Sequence, residues 1–208
     1  MERPIFKPIG TTEEELDTPT LVVDLDKLGR NIHKMAEFFN SSTSNLRPHI
    51  AAHGSPAIAH MQMAAGGTVG GIAATTLGQA EVFAANGFND IYISNIIVAK
   101  TKIQRLCALA ERSKVIVNVD NLSNVQDLSD SATSNNVIIN VVVDINTRLD
   151  RTGVDPGLNA VELSKFVNKS SGLHFSGLST YEGTMLATSD EALQSESRKW
   201  IQQVLDTR

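Results

Sequence analysis

The sequence predicts an α/β protein built around a parallel β-sheet, and three features of the chain indicate this class. From residue 46 onward, segments rich in β-branched residues alternate with segments that have apolar residues at helical spacing. Residues 137–143 are apolar almost throughout, which is typical of a parallel strand covered by helices. The connections between the segments are short. Strict alternation with short connections leaves two architectures, a doubly wound sheet and a (β/α) barrel.

An introductory strand and helix precede six βα units. Residues 20–25 are predicted to form the strand, and Asp26 is predicted to cap a helix that extends to about Phe39. The six strands are placed at residues 46–50, 69–74, 90–94, 114–119, 137–144 and 173–180, and the helices at 55–65, 77–86, 100–112, 123–133, 157–168 and 189–205. Residues 1–17 form a polar tail, and residues 18–208 form one domain without an internal linker.

The composition is that of a globular protein with an acidic balance. The chain has 208 residues, of which 41% are hydrophobic and 20% charged, and its formal net charge is -5. This charge argues against nucleic-acid and anionic-membrane partners, and no segment approaches the roughly 18 apolar residues of a membrane span. Cys107 is the only cysteine, which excludes an intrachain disulfide. Since no signal peptide is evident in the first residues, we expect a cytoplasmic protein.

Both architectures bind ligands at the carboxyl ends of their strands, so the polar residues found there are the candidates. Arg47, His49 and His53 are assigned to the end of the first strand. Two histidines four residues apart suggest metal ligation, but a zinc site needs at least three protein ligands and no third is evident. We expect the two histidines to position a ligand or each other by hydrogen bonds, and a purely structural role stays open.

The next three strand ends carry weaker signals. Thr75 and Thr76 follow the second strand, and Thr76 with Glu81 behind it is a capping-box pattern, which favours a helix cap. Asn95 follows the third strand, and Asp120, which follows the fourth, is either a site residue or a helix cap.

Arginine side chains follow the fifth predicted strand, and a tyrosine follows the sixth. The loop at residues 144–156 contains Arg148, Arg151 and several aspartates. An arginine there either binds a carboxylate or phosphate through its planar fork or forms an internal salt bridge with those aspartates. Tyr181 ends the sixth strand, where it either stacks on a cofactor and shuttles a proton or seals the mouth of the sheet.

Seven motifs occur in the order found in one enzyme group. They are TPTLVVDLD at residues 18–26 with RNI at 30–32, RPH at 47–49 with His53 and SP at 55–56, LGQAE at 77–81, SN at 94–95, Asp120, RTGV at 151–154 and GLSTYEG at 177–183. Over about residues 16–186 the chain thereby resembles the D-threonine aldolase, D-serine dehydratase and 3-hydroxy-D-aspartate aldolase family. These are alanine-racemase-like, fold-type III enzymes that depend on pyridoxal phosphate.

The resemblance implies a (β/α) TIM barrel of the alanine racemase N-terminal type, with pyridoxal phosphate at its mouth and a β-domain behind it. It implies cofactor contacts for His49, Asn95, Arg151 and Tyr181, with Tyr181 and His53 as the catalytic candidates. The family's aldolases cleave β-hydroxy-D-amino acids to glycine and an aldehyde, and its dehydratases release a keto acid and ammonia. A divalent metal is typically required as well.

The chain departs from the family at the residues that make the covalent bond. The Schiff-base lysine falls on Ala51, the next threonine on Ala52 and the second lysine on Gly54, while a histidine of the family falls on Thr184. An alanine cannot form an imine with the cofactor. With about six βα units, the barrel is expected to be incomplete, and the phosphate cup, the metal ligands and the C-terminal β-domain are expected to be missing.

These observations leave three readings of the function. The first is a truncated or degenerate lyase with impaired activity. The second is a non-catalytic regulatory protein that binds a phosphate, a carboxylate or pyridoxal phosphate itself. The third is a working enzyme with a non-covalent cofactor, for which no replacement nucleophile is evident. In each reading the partner is a small amino-acid-like ligand, and a homodimer is doubtful without the β-domain.

Overall fold

A single parallel sheet organises the protein in the computed structural model, which describes residues 7–147, 149–181 and 189–207. Its five strands are hydrogen-bonded in chain order, and all four pairings are parallel. The strands are β1 (Ile72–Ala74), β2 (Asp90–Ile93), β3 (Lys114–Val119), β4 (Ile139–Ile145) and β5 (Leu173–Thr180). The predicted alternation of parallel strands with helices is therefore confirmed.

Among the described residues, two α-helices precede β1, four connect successive strands, and one follows β5. They are α1 (Leu25–Asn40), α2 (Pro56–Ala65), α3 (Leu77–Ala84), α4 (Lys100–Ala110), α5 (Leu122–Ser134), α6 (Leu158–Lys169) and α7 (Asp190–Asp206). Several begin at a polar residue whose side chain accepts a hydrogen bond from the first turn, as Ser55, Asn121 and Ser189 do. Such caps satisfy backbone N–H groups that have no partner inside the helix.

Thr76 is a helix cap, as its position predicts, but its partner differs from the expected one. Its hydroxyl accepts from the backbone N–H of Gln79, whose own side chain returns to the Thr76 backbone. Glu81 instead accepts from Arg105 Nε of α4 at 2.9 Å. The reason is spacing, because a capping box joins the cap to the third helical residue and Glu81 is the fifth.

The two faces of the sheet differ in burial. One face buries Ile91, Val117 and Val141 completely against apolar residues of α3 to α6. The opposite face, called the open face below, carries the intervening residues, among them the half-buried Tyr92 and Val142. Alternation along each strand places the core on the helix side.

The predicted strand at residues 20–25 is wrong. Residues 20–24 have no regular structure and Leu21 is 98% exposed, while α1 begins at Leu25. The cap of α1 is Asp24, whose Oδ1 accepts from the Lys27 N–H at 2.9 Å, and Asp26 lies in the first turn. A β-branched composition favours a strand only where a neighbouring strand supplies hydrogen-bond partners. Among the described residues, no strand pairs with residues 20–24.

The predicted strand at residues 46–50 is reduced to two isolated parallel bridges. Leu46 pairs with Thr68, and His49 pairs with Ala73. Between them stands Pro48, whose carbonyl accepts from the Ala73 N–H at 2.8 Å but which has no N–H of its own to donate. Of the six strands expected in βα units, five are therefore strands and this one is an irregular neighbour of β1.

No helix among the described residues combines the length and apolar character needed to cross a membrane.

Candidate ligand site at the carboxyl ends of the strands

The parallel register brings the segments that follow the strands to one edge of the sheet, called the carboxyl edge below. Ile93 pairs with Ala74 and Val117, and Ile145 pairs with Thr180, so the ends of neighbouring strands lie side by side. This edge carries Thr75, Asn95, Asp120, residues 146–147 and 149–156, and Tyr181, and the bridge at His49 adds residues 49–55. Most sequence-predicted site residues are thus brought to one region.

Arg47 is an exception, because its side chain turns to the opposite edge. Its Nη1 lies 2.6 Å from Asp90 Oδ1, at the start of β2, and Asp90 Oδ2 lies 3.1 Å from Lys114 Nζ, at the start of β3. The candidate placement of Arg47 at the strand end is therefore wrong. Its guanidinium forms an ion pair at the amino ends of the strands.

A polar network crosses the open face and joins four strands. The Tyr92 hydroxyl donates to Asn118 Oδ1 at 2.7 Å, and Asn118 Nδ2 donates to the Ser94 carbonyl at 3.2 Å. Ser179 Oγ lies 3.3 Å from Asn118 Oδ1 and 3.2 Å from Asp144 Oδ1. Asn118 and Asp144 are buried, so these hydrogen bonds satisfy groups that water reaches poorly.

Sequence reasoning did not single out Tyr92, Asn118 or Ser179. The available signal was the polar side chain inside an otherwise apolar strand, as at Asn118 in KVIVNV and Asp144 in INVVVDI. Such residues in a covered strand need partners across the sheet, and the register decides which partners they find.

Burial raises the pKa of Asp144 above its ordinary value. Hydrogen bonds from Thr152 and Ser179 act in the opposite direction, the nearby Asp120 charge raises the pKa further, and Arg151 lowers it. Burial also raises the pKa of the Tyr92 hydroxyl. The network thus holds a carboxyl group whose charged form is disfavoured by its surroundings.

The loop after β4 folds back onto the strand end and carries Arg151 to the edge. The Thr152 hydroxyl donates to Asp144 Oδ2 at 2.9 Å, and the Gly153 N–H donates to Asp120 Oδ2 at 3.2 Å. Asp150 Oδ1 accepts from Asn146 Nδ2 at 2.8 Å. The carboxylates of Asp144, Asp120 and Asp150 therefore accept hydrogen bonds from a hydroxyl, a backbone N–H and a side-chain amide.

Arg151 is exposed, and its guanidinium carbon lies 5.3 Å from the centre of the Tyr181 ring. The ion pairs found among the described residues do not include it. Of the two predicted alternatives for Arg151, the internal salt bridge is thus not formed in that part of the chain. Tyr181 is 53% exposed and leaves one side of the pair open. Arg148 and Thr184 lie outside the described residues.

The two candidate histidines bond to their own neighbours and not to each other. His49 Nδ1 accepts from the Ala51 N–H at 3.3 Å, and partial desolvation lowers the pKa of His49. His53 Nδ1 accepts from the Ser55 N–H at 3.0 Å, while its Nε2 lies 3.2 Å from Gln62 Oε1. Both ring nitrogens of His53 are therefore bonded to residues in or just before α2, whereas Nε2 of His49 has no hydrogen-bond partner among the described residues.

A metal centre does not emerge from the part of the chain that the structure describes, since it contains no group of three or more His, Cys, Asp or Glu side chains placed to hold an ion.

Asn95 and Thr75 meet through their backbones. The Asn95 N–H donates to the Thr75 carbonyl at 3.3 Å, and the Asn95 side chain is exposed. The Thr75 N–H donates to Gln79 Oε1 at 3.0 Å. Asn95 is therefore available to a ligand, while the backbone of Thr75 belongs to the cap of α3.

Ala51 occupies a short 3-10 turn at Ile50–Ala52 and is exposed at the carboxyl edge. The described residues of this edge include no lysine, and Lys100, which follows Asn95 in the chain, begins α4. The residues present therefore do not fit a covalently attached pyridoxal phosphate. Arg151, Tyr181, Asn95 and His49 instead offer polar and aromatic groups for non-covalent contacts.

The five-stranded parallel sheet with helices between its strands defines an α/β protein, a class in which ligand sites generally lie at the carboxyl ends of the strands. The chain belongs to the family of the alanine racemase N-terminal domain, whose family model matches residues 23–207. Among curated proteins it is 33% identical over 177 residues to 3-hydroxy-D-aspartate aldolase of Paracoccus denitrificans (strain Pd 1222), covering 85% of this chain and 46% of that protein.

A second curated relative is D-threonine aldolase of an Arthrobacter species, which is 34% identical over 176 residues, covering 85% of this chain and 46% of that protein. The crystal structure of D-threonine aldolase from Filomicrobium marinum is 37% identical and matches with a TM-score of 0.86, covering 92% of this chain and 52% of that one. These relatives confirm the resemblance drawn from the motifs. The chain spans about half the length of the curated relatives it matches.

Proposed function

We propose that this chain is a degenerate member of the pyridoxal-phosphate-dependent D-amino-acid lyases, with the ligand-binding edge of such an enzyme and impaired lyase activity. The observation that carries the proposal is Ala51. It lies at the carboxyl edge, in the RPH segment where the resemblance implies the cofactor's lysine. A methyl group can neither form an imine nor exchange one for a substrate amine.

We propose further that the parallel strands are part of an incomplete (β/α) barrel. Their order, β1 to β5 in sequence, supports this, because a doubly wound sheet reverses its order at a switch point whereas a barrel does not. Every strand among the described residues belongs to this one sheet.

The ligand of the edge is proposed to be a small molecule with a carboxylate or phosphate group, as in an amino acid or pyridoxal phosphate. Arg151 supports this, since its guanidinium is exposed and faces an aromatic ring. A guanidinium binds carboxylate or phosphate oxygens in pairs, and an exposed ring offers a stacking surface. His49 Nε2 and the Asn95 amide are proposed to complete the polar contacts. The acidic net charge of -5 fits a small ligand better than a nucleic acid.

A non-catalytic, ligand-binding regulatory protein is the second candidate. The same edge favours it, because Arg151 and Tyr181 are placed together while a covalent attachment point is lacking. The two candidates differ in what the protein does after binding. A degenerate lyase retains a geometry that a restored lysine would reactivate, whereas a regulatory protein binds without any turnover.

The test restores the lysine. Purified wild-type protein, Ala51→Lys and the control Ala52→Lys are mixed with pyridoxal phosphate, scanned for imine absorbance and treated with borohydride. We expect a trapped adduct at residue 51 in Ala51→Lys only. A specific borohydride-trapped adduct in the wild type, or turnover of D-threonine or D-3-hydroxyaspartate by the wild type with a divalent metal, would overturn the proposal.

Binding is tested separately by titrating pyridoxal phosphate into the wild type, Arg151→Ala and Arg112→Ala. Arg112 is an exposed arginine beyond the end of α4, next to the start of β3, and controls for the loss of one positive charge. We expect weaker binding only in Arg151→Ala. Equal affinities in all three proteins would remove Arg151 from the proposed site.

A further inference from the structure

We infer that Asp144, with Asp120, is a positioning residue that holds the loop at residues 149–156 so that Arg151 stays against Tyr181. Neither carboxylate need touch the ligand. The inference rests on the proposed function, because it is the proposed anionic ligand that would meet Arg151 at the carboxyl edge.

The first step is the attachment of the loop on the carboxyl side of Arg151. The neighbouring Thr152 donates its hydroxyl to Asp144 Oδ2 at 2.9 Å, and Gly153 donates its N–H to Asp120 Oδ2 at 3.2 Å. Two consecutive residues are thus held by two carboxylates from adjacent strands. Among the described residues Arg151 itself makes no side-chain hydrogen bond, so its direction depends on these neighbours.

The second step is the backbone path of the loop. The Val154 N–H donates to the Asp144 carbonyl at 3.0 Å, and the Asn146 N–H donates to the Val154 carbonyl at 2.8 Å. Gly153 has φ +97°, and a Cβ built on it would lie 2.5 Å from the Asn146 nitrogen. Only glycine fits this close return of the chain, so the loop lies directly on the end of β4.

The third step concerns the other half of the Arg151–Tyr181 pair. Ser179 Oγ lies 3.2 Å from Asp144 Oδ1, and Ser179 stands two residues before Tyr181 on β5. One oxygen of Asp144 therefore serves the loop that carries the arginine, and the other serves the strand that leads to the tyrosine. A single buried carboxyl group links both partners of the pair.

The fourth step is the rigidity of the anchor. Asp144 is 7% exposed and Asn118 is 5% exposed, and Ser179 joins them while Tyr92 holds Asn118 from β2. The loop is therefore attached to the sheet and not to mobile surface side chains. Because the arginine is held in place before a ligand arrives, less conformational entropy is lost on binding.

The experiment removes the hydroxyl that joins the loop to Asp144. Thr152→Val keeps the shape of the side chain and deletes the donor, while Thr152→Ser keeps the donor. Ser129→Ala is the matched control, because Ser129 is a buried hydroxyl that donates to the Ser171 carbonyl at 2.7 Å, away from the carboxyl edge. Each protein is measured by hydrogen–deuterium exchange without ligand and by titration with pyridoxal phosphate.

We expect Thr152→Val to raise amide exchange at residues 150–155 and to weaken pyridoxal phosphate binding, each by about three- to tenfold, the factor that one lost hydrogen bond corresponds to. Exchange in β2 and β3 should not change. Thr152→Ser should restore both quantities to the wild-type level, and Ser129→Ala should change neither.

Unchanged exchange in the loop of Thr152→Val would overturn the inference, and so would faster exchange with unchanged affinity, because the loop would then be irrelevant to the ligand. A rise spread equally over the whole sheet would overturn it as well, since it would indicate a purely structural role. If the wild type itself binds no pyridoxal phosphate, the proposed function fails, whereas the exchange data still decide whether Asp144 holds the loop.

Discussion

The guanidinium of Arg151 lies 5.3 Å from the centre of the Tyr181 ring, so a cation from the loop after β4 rests beside the aromatic side chain that follows β5. Both side chains are exposed at the carboxyl edge. The pair joins the two groups that the sequence indicated separately as ligand contacts. The proposed ligand would meet both side chains there, because a guanidinium beside a ring keeps its N–H donors available to carboxylate or phosphate oxygens.

The ring of Tyr181 should contribute to ligand affinity through Arg151. Replacing Tyr181 with Leu removes the aromatic face and should weaken pyridoxal phosphate binding about two- to fivefold, the range for an exposed cation–π contact. Tyr181→Phe keeps the ring and should bind within a factor of about two of the wild type. Titration by absorbance measures both, and a loss in Tyr181→Phe equal to that in Tyr181→Leu would assign the effect to the hydroxyl.

Asp144 should make the stability of the protein depend on pH. Burial raises its pKa in the folded state, so the folded protein keeps this proton at pH values where the unfolded chain has lost it. The contribution of Asp144 to the free energy of unfolding is complete at pH values below the ordinary aspartate pKa. It is lost as the pH rises through the pKa that Asp144 has in the folded protein. The charged groups facing it are Asp120, which strengthens the shift, and Arg151, which weakens it. Tyr92 lies across the same network.

Asp144→Asn should remove this dependence. We consider the free energy of unfolding of Asp144→Asn minus that of the wild type. This difference should increase with pH between the ordinary aspartate pKa and the raised pKa of Asp144 in the folded protein, and then level off. Urea unfolding at a series of pH values measures the difference, in which the contributions of carboxylates that do not interact with Asp144 cancel. A difference that is flat or that falls with rising pH would contradict the raised pKa.

The cap at Thr76 should stabilise the protein by about 1 kcal/mol, as side-chain caps of this kind do. Thr76→Ala removes the oxygen that accepts from the Gln79 N–H, and Thr76→Ser keeps it. We expect only the alanine variant to lose stability in urea unfolding. Glu81→Gln should leave the cap intact, since Glu81 pairs with Arg105 and not with Thr76. The assignment would be contradicted if Glu81→Gln lowered the free energy of unfolding by as much as Thr76→Ala does in the wild-type protein, but had no effect in a protein that already carries Thr76→Ala.

Two neighbouring isoleucines should respond very differently to truncation. Ile139 is fully buried at the start of β4, whereas Ile138 is 59% exposed. Ile139→Ala should cost about 2–5 kcal/mol, and Ile138→Ala should stay within about 0.5 kcal/mol of the wild type. Ile139→Val, with an expected loss of about 0.5–1.5 kcal/mol, keeps the test measurable if the alanine variant does not fold. Similar losses at both positions would contradict the assigned faces.

Local patterns predicted the central elements well. The strands Lys114–Val119 and Leu173–Thr180 have the bounds that their apolar residues indicated, and α4 begins at the predicted Lys100. The family was also accessible, because its motifs are short segments at strand ends. Residues 20–25 show the limit of this reasoning, since a strand-like composition there has no neighbouring strand to pair with among the described residues.

The site was only partly accessible in the same way. His49, Asn95, Arg151 and Tyr181 were found because each follows a strand, and all of them lie at the carboxyl edge. Their roles stay predictions until a ligand is bound. The network of Asn118, Ser179 and Tyr92 was not found, because nothing in the sequence indicates which polar residues of different strands meet across a sheet.

The sequence by itself determined the alternating α/β class, the family and the alanine at position 51, because periodicity, motif order and residue identity are properties of the chain. Only the tertiary structure decided that Arg47 points to the amino ends of the strands, that Ile139 and not Ile138 enters the core, and that Asp144 serves both the loop of Arg151 and the strand of Tyr181. Strand register places Ser179 within hydrogen-bond distance of Asp144, although the two residues are 35 positions apart in the chain. The close return of the chain at Gly153 places the loop of Arg151 on the end of β4.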